Sequence, residues 1–379
     1  MRILIIAFSP LDRDSRVYRQ LLFFKSFSHS DITVAGYTDP RIDDVNFVRL
    51  DEGVPKSSVA KAFSGIKLKL GRFEQFYWED EKVKSALGQL NGLCSDIIVA
   101  NDIPNLPLSL NLARKNGAKV LIDCHEYTPR EFDDQFKFSF FFKKYWDYIC
   151  RKYLPKADIF TTVCCSLADE YQKNYGGDWK VITNAPFYAD LNPKALDNSC
   201  IRLIHHGIIT PSRHTEKMIE LMNYLDERYL LDLMLINTNP SYFSKLKRLT
   251  TNNPKIKFRD PVAMTEIVDT INNYDIGLFL LPPFIFNYQM ALPNKLFDFI
   301  QARLAIAIWP SPEMAKIVEQ YECGVVSNDF SVASMAKALN ALSSEDIMRY
   351  KMNSHKAAAT LCAEKNHKLF AGLISSLLD

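Results

Sequence analysis

The chain has 379 residues, 47% of them hydrophobic and 24% charged, with a formal net charge of +2. That length predicts two domains with a large buried core, and so small a net charge argues against a general nucleic-acid binder. Eight scattered cysteines form no CxxC pair and no zinc spacing, and no run reaches the ~18 apolar residues of a membrane span. The apolar run in MRILIIAFSP is too short for a signal-peptide core. A reduced, cytoplasmic chain is the simplest account.

Ile3 to Phe8 is continuously apolar, as in a strand buried on both faces of a parallel sheet. A polar turn leads to a helix over Arg16 to Phe27, and Asp31 to Tyr37 is the next strand. This alternation opens a doubly wound domain, although GxGxxG is missing. Asn46 to Leu50, Asp96 to Ala100, Lys119 to Asp123, Ala157 to Val163 and Lys180 to Thr183 extend the sheet to about seven strands. Leu106 to Lys115 reads as a helix. Asp102 and His125 fall at carboxyl ends of strands, where open parallel sheets bind ligands. Each has a structural alternative: Asp102 as the cap of the helix after Pro104, His125 as a satisfied histidine at a strand end.

Phe136 to Lys156 alternates aromatic and basic blocks. The segment 136–156 reads either as a surface for a membrane interface or as a core helix with solvated lysines. Asn184 to Ser199 is rich in proline, asparagine and aspartate, as in a linker. A second alternation follows, with strands over Ile201 to His206, Leu230 to Ile236, Ile256 to Phe258 and Asp275 to Leu281. Helices are expected over Phe243 to Leu249 and Thr265 to Ile271, with Arg213 to Tyr224 in or near another.

Ala291 to Ala307, ALPNKLFDFIQARLAIA, then turns from loop to helix, with Pro293 in its first turn. A helix start carries free N–H groups and roughly half a positive charge, which attracts phosphate. Lys295 adds a full charge there, and Asp298, a turn on, can accept from hydroxyls. The alternative is an amphipathic core helix with a surface lysine. Ala305 to Trp309, a helix from Glu313 and Gly324 to Ser327 complete the half. The expected fold is α/β, two Rossmann-like doubly wound domains facing a cleft: residues 1–185, a linker 186–200, residues 201–362, and a last helix 363–379 placed to pack across the hinge.

Five stretches together resemble the retaining GT-B glycosyltransferases, near glycosyltransferase family 4. DSRVYRQ (Asp14 to Gln20) is similar to their Asp-Pro-Arg-Val-x-Arg stretch, with Ser15 in place of the proline. VLIDCHEY (Val120 to Tyr127) resembles a strand ending in Asp-x-His-Glu, and HHGIITPSR (His205 to Arg213) the glycine-bearing loop of the donor domain. ALPNKLFDFIQARLAIA resembles Pro-Asn-Lys-Leu-Phe-Glu followed by Ala-Gly-x-Pro-Val, and YECGVV (Tyr321 to Val326) a Gly-Cys-Gly strand.

The resemblance implies a donor site in the second domain. Gly207 would admit the diphosphate, Arg213 and Lys295 would neutralise it, N–H groups near Asn294 would add the helix-start field, and Asp298 would hold the ribose. His125 would face the transferred sugar, with Asp102, Glu126 and Arg16 on the acceptor side. His125, Arg213 and Lys295 are the implied catalytic residues. The implied reaction is metal-independent transfer from a nucleoside-diphosphate sugar to a hydroxyl of a glycan or lipid-linked acceptor, in bacterial surface polysaccharide synthesis, with no cofactor and no nucleic acid. Asp12-Arg13-Asp14 spells a metal-binding DxD but reads as solvated or capping. Met290 stands at the first family glutamate, and Arg303 and Ala305 at the usual glycine and proline. A sugar-nucleotide epimerase and a non-catalytic GT-B partner are the alternatives.

Overall fold

A computed structural model describes residues 1–27, 29–53, 58–135 and 138–378. The chain folds as two Rossmann-like doubly wound domains, each with its own all-parallel sheet and core. One unit comprises Met1–Thr183, Ile285–Asn287 and His367–Asp379; the other comprises Asn184–Phe284 and Tyr288–Asn366.

The first sheet contains β1 (Arg2–Ile6), β2 (Asp31–Gly36), β3 (Asn46–Arg49), β4 (Ile97–Asn101), β5 (Lys119–Cys124), β6 (Ile159–Thr162) and β7 (Trp179–Val181), in the order β3-β2-β1-β4-β5-β6-β7. Winding reverses between β1 and β4, so the chain after Asn101 emerges at the switch point where such sheets bind ligands. All five residues of β4 are buried, as a central strand covered on both faces requires. The helix Ser15–Lys25 starts where it does because Asp14 accepts from the N–H groups of Arg16 and Val17. This settles the second aspartate of the Asp12-Arg13-Asp14 triplet as a cap.

Three helices between Glu52 and Cys94, namely Ser58–Lys69, Phe73–Trp78 and Glu81–Leu90, have no counterpart in the sequence reading. In the last helix, Ala363–Leu378, Phe370 and Ile374 join the core of β1, β2 and β4. Phe23 and Phe370 meet edge-on at 4.7 Å. The aromatic-basic segment is a π-helical turn, Phe138–Phe142, then the helix Lys143–Tyr153 and a one-turn 3-10 helix, Leu154–Lys156. Tyr145, Ile149, Cys150 and Tyr153 are buried. The core-helix alternative therefore holds for 143–153, whose apolar face is turned inward. Phe136 and Lys137 lie outside the described residues.

The second sheet contains β8 (Ile201–Ile208), β9 (Tyr229–Ile236), β10 (Ile256–Arg259), β11 (Ile276–Phe279), β12 (Ala305–Ile308) and β13 (Gly324–Val326), ordered β10-β9-β8-β11-β12-β13. Its winding reverses between β8 and β11. The helix Asn294–Gln301 lies close on this sheet because Gly277 of β11 has no side chain; a methyl there would overlap the Phe299 ring. Pro293 is the cap residue, one position before the first turn.

The stretch 184–199 is tied along the second unit. Ala363 N–H donates to Pro186 O at 2.8 Å, and Ala189 N–H to Gln301 Oε1 at 3.0 Å. Arg303, where the resemblance expects glycine, takes φ +62. Glycine adopts that region freely; a bulky residue needs compensation. Arg303 Nε donates to Leu191 O and meets His355 Nδ1, each at 3.1 Å; Nη1 donates to Gln301 O at 2.7 Å, and Nη2 to Ala189 O.

Candidate functional site

In the second unit the sequence-predicted donor residues come together at the switch point. Gly207, the penultimate residue of β8, has φ +119, and a Cβ on it would lie 2.7 Å from Lys295 Nζ. The missing side chain is thus what admits the lysine. Lys295, the second residue of Asn294–Gln301, is 8% exposed, with Nζ 5.2 Å from the Phe279 ring centroid. Burial, then the Arg213 charge, push its ammonium down to about 7, against the pull of Asp298. Arg213 closes the one-turn helix Pro211–Arg213 and is half-buried; its Nη1 donates to Ile208 O at 3.4 Å. The two cations are therefore close enough to repel, in a place that desolvates one of them.

Two histidines line the same corner. His205 Nδ1–H donates to Leu278 O at 3.0 Å, and its ring stacks on Phe279. Burial and then Lys295 push it down to about 3, so it is neutral. His206, given no site role by the sequence, is buried with Nε2 3.5 Å from Asp298 Oδ2. Burial, then Lys295 and His205, hold it well below its ordinary value, so the contact is with a neutral ring. Asp298 is almost buried on the first turns of the helix. Asn294 opens the helix as expected. Two cations, a helix start and the Asp298 carboxylate converge beside the neutral imidazoles of His205 and His206, which suits a polyanion bearing hydroxyls.

Gly207→Ala is expected to displace Lys295 and strain the backbone, lowering any reaction that uses Lys295 by about tenfold to a hundredfold while the fold persists. Steady-state rates beside far-UV circular dichroism check this.

In the first unit, Asp123 at the end of β5 is the anchor. It accepts from Arg16 Nε at 2.7 Å and Nη2 at 2.6 Å, Gln20 Nε2 at 2.6 Å and Thr161 Oγ1 at 2.7 Å. Burial works against its charge, but Arg16 and His125 hold the carboxyl far below the usual range. Arg16 also donates to the carbonyls of Ile182 and Thr183. It is buried, and its visible partners give it a positioning part toward Asp123 beside the acceptor-side role the resemblance implies.

His125 sits between carboxylates. Its Nδ1 is 3.3 Å from Asp102 Oδ2, its Nε2 3.6 Å from Asp123 Oδ2, and its backbone N–H donates to Asp102 Oδ1 at 2.7 Å. Burial opposes the charge, but Asp102 and Asp123 outweigh it and hold the imidazole at about 9. His125 is thus a cation at neutral pH. Asp102 does not cap the following turn with its side chain; it takes φ 65, ψ 157, a region that is almost exclusively glycine's. A non-glycine residue there costs about 1–3 kcal/mol and marks sites where geometry is imposed.

Glu126 receives the Asn287 side-chain amide at 3.3 Å, and Asn287 in turn accepts from Tyr127 N–H at 2.9 Å. These contacts order the loop after β5. Glu131, missed in the sequence, is raised to about 8 by burial, then by Glu126 and Asp102. Its position after Thr128–Arg130, beyond the motif, left no signal.

No family model matches the sequence, and no curated protein matches it significantly. Solved structures do share the fold. HepE from Anabaena in complex with UDP-glucose is similar over 99% of this chain and 100% of its own, with TM-score 0.70 and 12% identity. Sucrose-phosphate synthase from Thermosynechococcus elongatus matches over 100% and 99%, with TM-score 0.72 and 12% identity. WaaG, a glycosyltransferase involved in lipopolysaccharide biosynthesis, matches over 97% and 99%, with TM-score 0.64 and 12% identity.

Proposed function

We propose that the chain transfers a sugar from a nucleoside diphosphate to an acceptor hydroxyl, with retention at the anomeric carbon and without a metal ion. The observation that carries this reading is Lys295, buried against Gly207 beside Arg213 at the start of a helix that bears Asp298. A buried lysine repelled by an arginine, with one nearby carboxylate, is a poor structural pair. It is a good receptor for a diphosphate, whose charge rises as the sugar departs. In the proposed step the bond from the anomeric carbon to the β-phosphate oxygen breaks, and a bond to the acceptor oxygen forms on the same face. The acceptor proton passes to the leaving phosphate. Lys295, Arg213 and the helix N–H groups stabilise that phosphate, while Asp298 accepts from the ribose. In the first unit, the His125 imidazolium donates to sugar hydroxyls and Asp102 fixes its orientation. A glycan or lipid-linked acceptor of bacterial surface polysaccharide synthesis fits this chemistry, and the fold shared with a lipopolysaccharide glycosyltransferase supports it.

Calorimetric titration with UDP, GDP and ADP tests the donor site. One of them is expected to bind, and Lys295→Met to weaken it. At about pH 8 the Lys295 ammonium, near 7 when the site is open, is mostly deprotonated. A bound diphosphate raises it again, so binding should take up close to about one proton, seen as a dependence of heat on buffer ionisation enthalpy. Uptake should shrink as pH falls below 7. Binding of none of the three would favour a non-catalytic partner protein, the reading that half-exposed Met290 supports.

A further inference from the structure

In the part of the helix Ser58–Lys69 from Phe63 on, large apolar side chains face outward. Phe63, Ile66 and Leu70 are 61%, 52% and 62% exposed, whereas Leu68 is buried. At spacings of three and four residues the three exposed side chains share one helix face, and Leu70 N–H donates to Ile66 O, so it continues that face. The helix packs on the π-helical turn Phe138–Phe142, whose Phe140 is 55% exposed. Monomeric proteins rarely leave so many large apolar side chains together in water.

The charge on these two segments is one-sided, and the carboxylates that follow them, Glu74 and Glu79, are paired with Lys152 and Lys67. Segments 58–72 and 138–144 carry six Lys and Arg and no Asp or Glu. Lys67 pairs with Glu79, and Lys143 lies 4.0 Å from Asp133. Lys69, Arg72 and Lys144 are exposed and have no carboxylate partner among the described residues. A second copy seated on this face would set cations against cations. An anionic bilayer offers a negative layer for the lysines and an apolar layer for the rings and aliphatic tips, with no need for a matched shape.

We propose that the face formed by Phe63, Ile66, Leu70 and Phe140 docks on anionic lipid bilayers. This moves the membrane surface away from the helix Lys143–Tyr153, whose apolar side is core, and onto a helix that the sequence reading passed over. The proposal does not depend on sugar transfer.

Co-sedimentation of the full chain with phosphatidylcholine vesicles, with and without phosphatidylglycerol, tests it. Binding should be at least about tenfold tighter to the anionic vesicles and should weaken at high salt. Phe63→Ser/Ile66→Ser/Leu70→Ser should lose about tenfold in affinity, and so should Lys69→Glu/Lys144→Glu, whose side chains are exposed and whose melting should match the parent. Equal binding to both vesicle types, or parental binding by both variants, would overturn it. So would conversion of a dimer to a monomer by the apolar variant with vesicle binding unchanged. No nucleotide is used, so failure here leaves the donor site standing, and failure of nucleotide binding leaves this face standing.

Discussion

Lys295→Ala should lower sugar transfer by about a hundredfold, the usual loss when one preorganised charge contact to a transition state is removed. The size of the loss follows from where the charge sits. Nζ is held over Gly207 at the end of β8, out of water and beside Arg213, so it meets the substrate already desolvated. The cost of that arrangement is carried by the unliganded protein. The folded value near 7 lies below the ordinary 10.5, so the buried ammonium destabilises the fold in full below pH 7. That penalty fades as pH climbs toward 10.5. Lys295→Met should therefore be as inactive as the alanine variant and yet melt higher than the parent at pH 6, with the gap closing at alkaline pH. Transfer rates and thermal melts at two pH values check both halves. A methionine variant that is less stable at pH 6 would mean the lysine is held by partners rather than repelled.

Arg16→Ala should cost about 3 kcal/mol of stability, because it leaves Asp123 charged and buried with its strongest partner gone. The side chains are 7% and 1% exposed, so solvent cannot replace the guanidinium. Adding Asp123→Asn to Arg16→Ala removes the orphaned charge and should recover part of the loss, which urea melts of the single and double variants will show. The same anchor governs His125. Its value near 9 exceeds the unfolded 6.5, so the stability from its charge is complete below pH 6.5 and is lost as pH rises through 9. Losing Asp123 should lower that upper limit.

The sheets were legible because runs such as DIIVA and KVLID are apolar throughout, and a strand covered on both faces admits little else. The donor corner was legible because glycine, arginine and the Pro-Asn-Lys helix start each carry a local physical reason for their place. What escaped depended on distance. Arg16 turns inward to a carboxylate 107 residues on, and nothing in DSRVYRQ tells inward from outward. His206 matters through strand register and the seat of a helix far along the chain. Asp102 hides its strain, since only the backbone shows that an aspartate occupies a glycine conformation. Ser58–Lys69 went unread because Phe63 and Ile66 face water while Leu68 is buried, so its apolar residues do not fall on one core-facing stripe.

Arg303 has a consequence for how this chain tolerates its surroundings. Its guanidinium ties the 184–199 stretch to the helix Asn294–Gln301 mainly through carbonyl oxygens of Ala189, Leu191 and Gln301, none of which titrates. An arginine stays charged at any physiological acidity. Unlike the histidine and lysine sites, this seam has almost no proton to gain or lose, so acid or alkali should loosen the corners around His125 and Lys295 well before it lets the strap peel away.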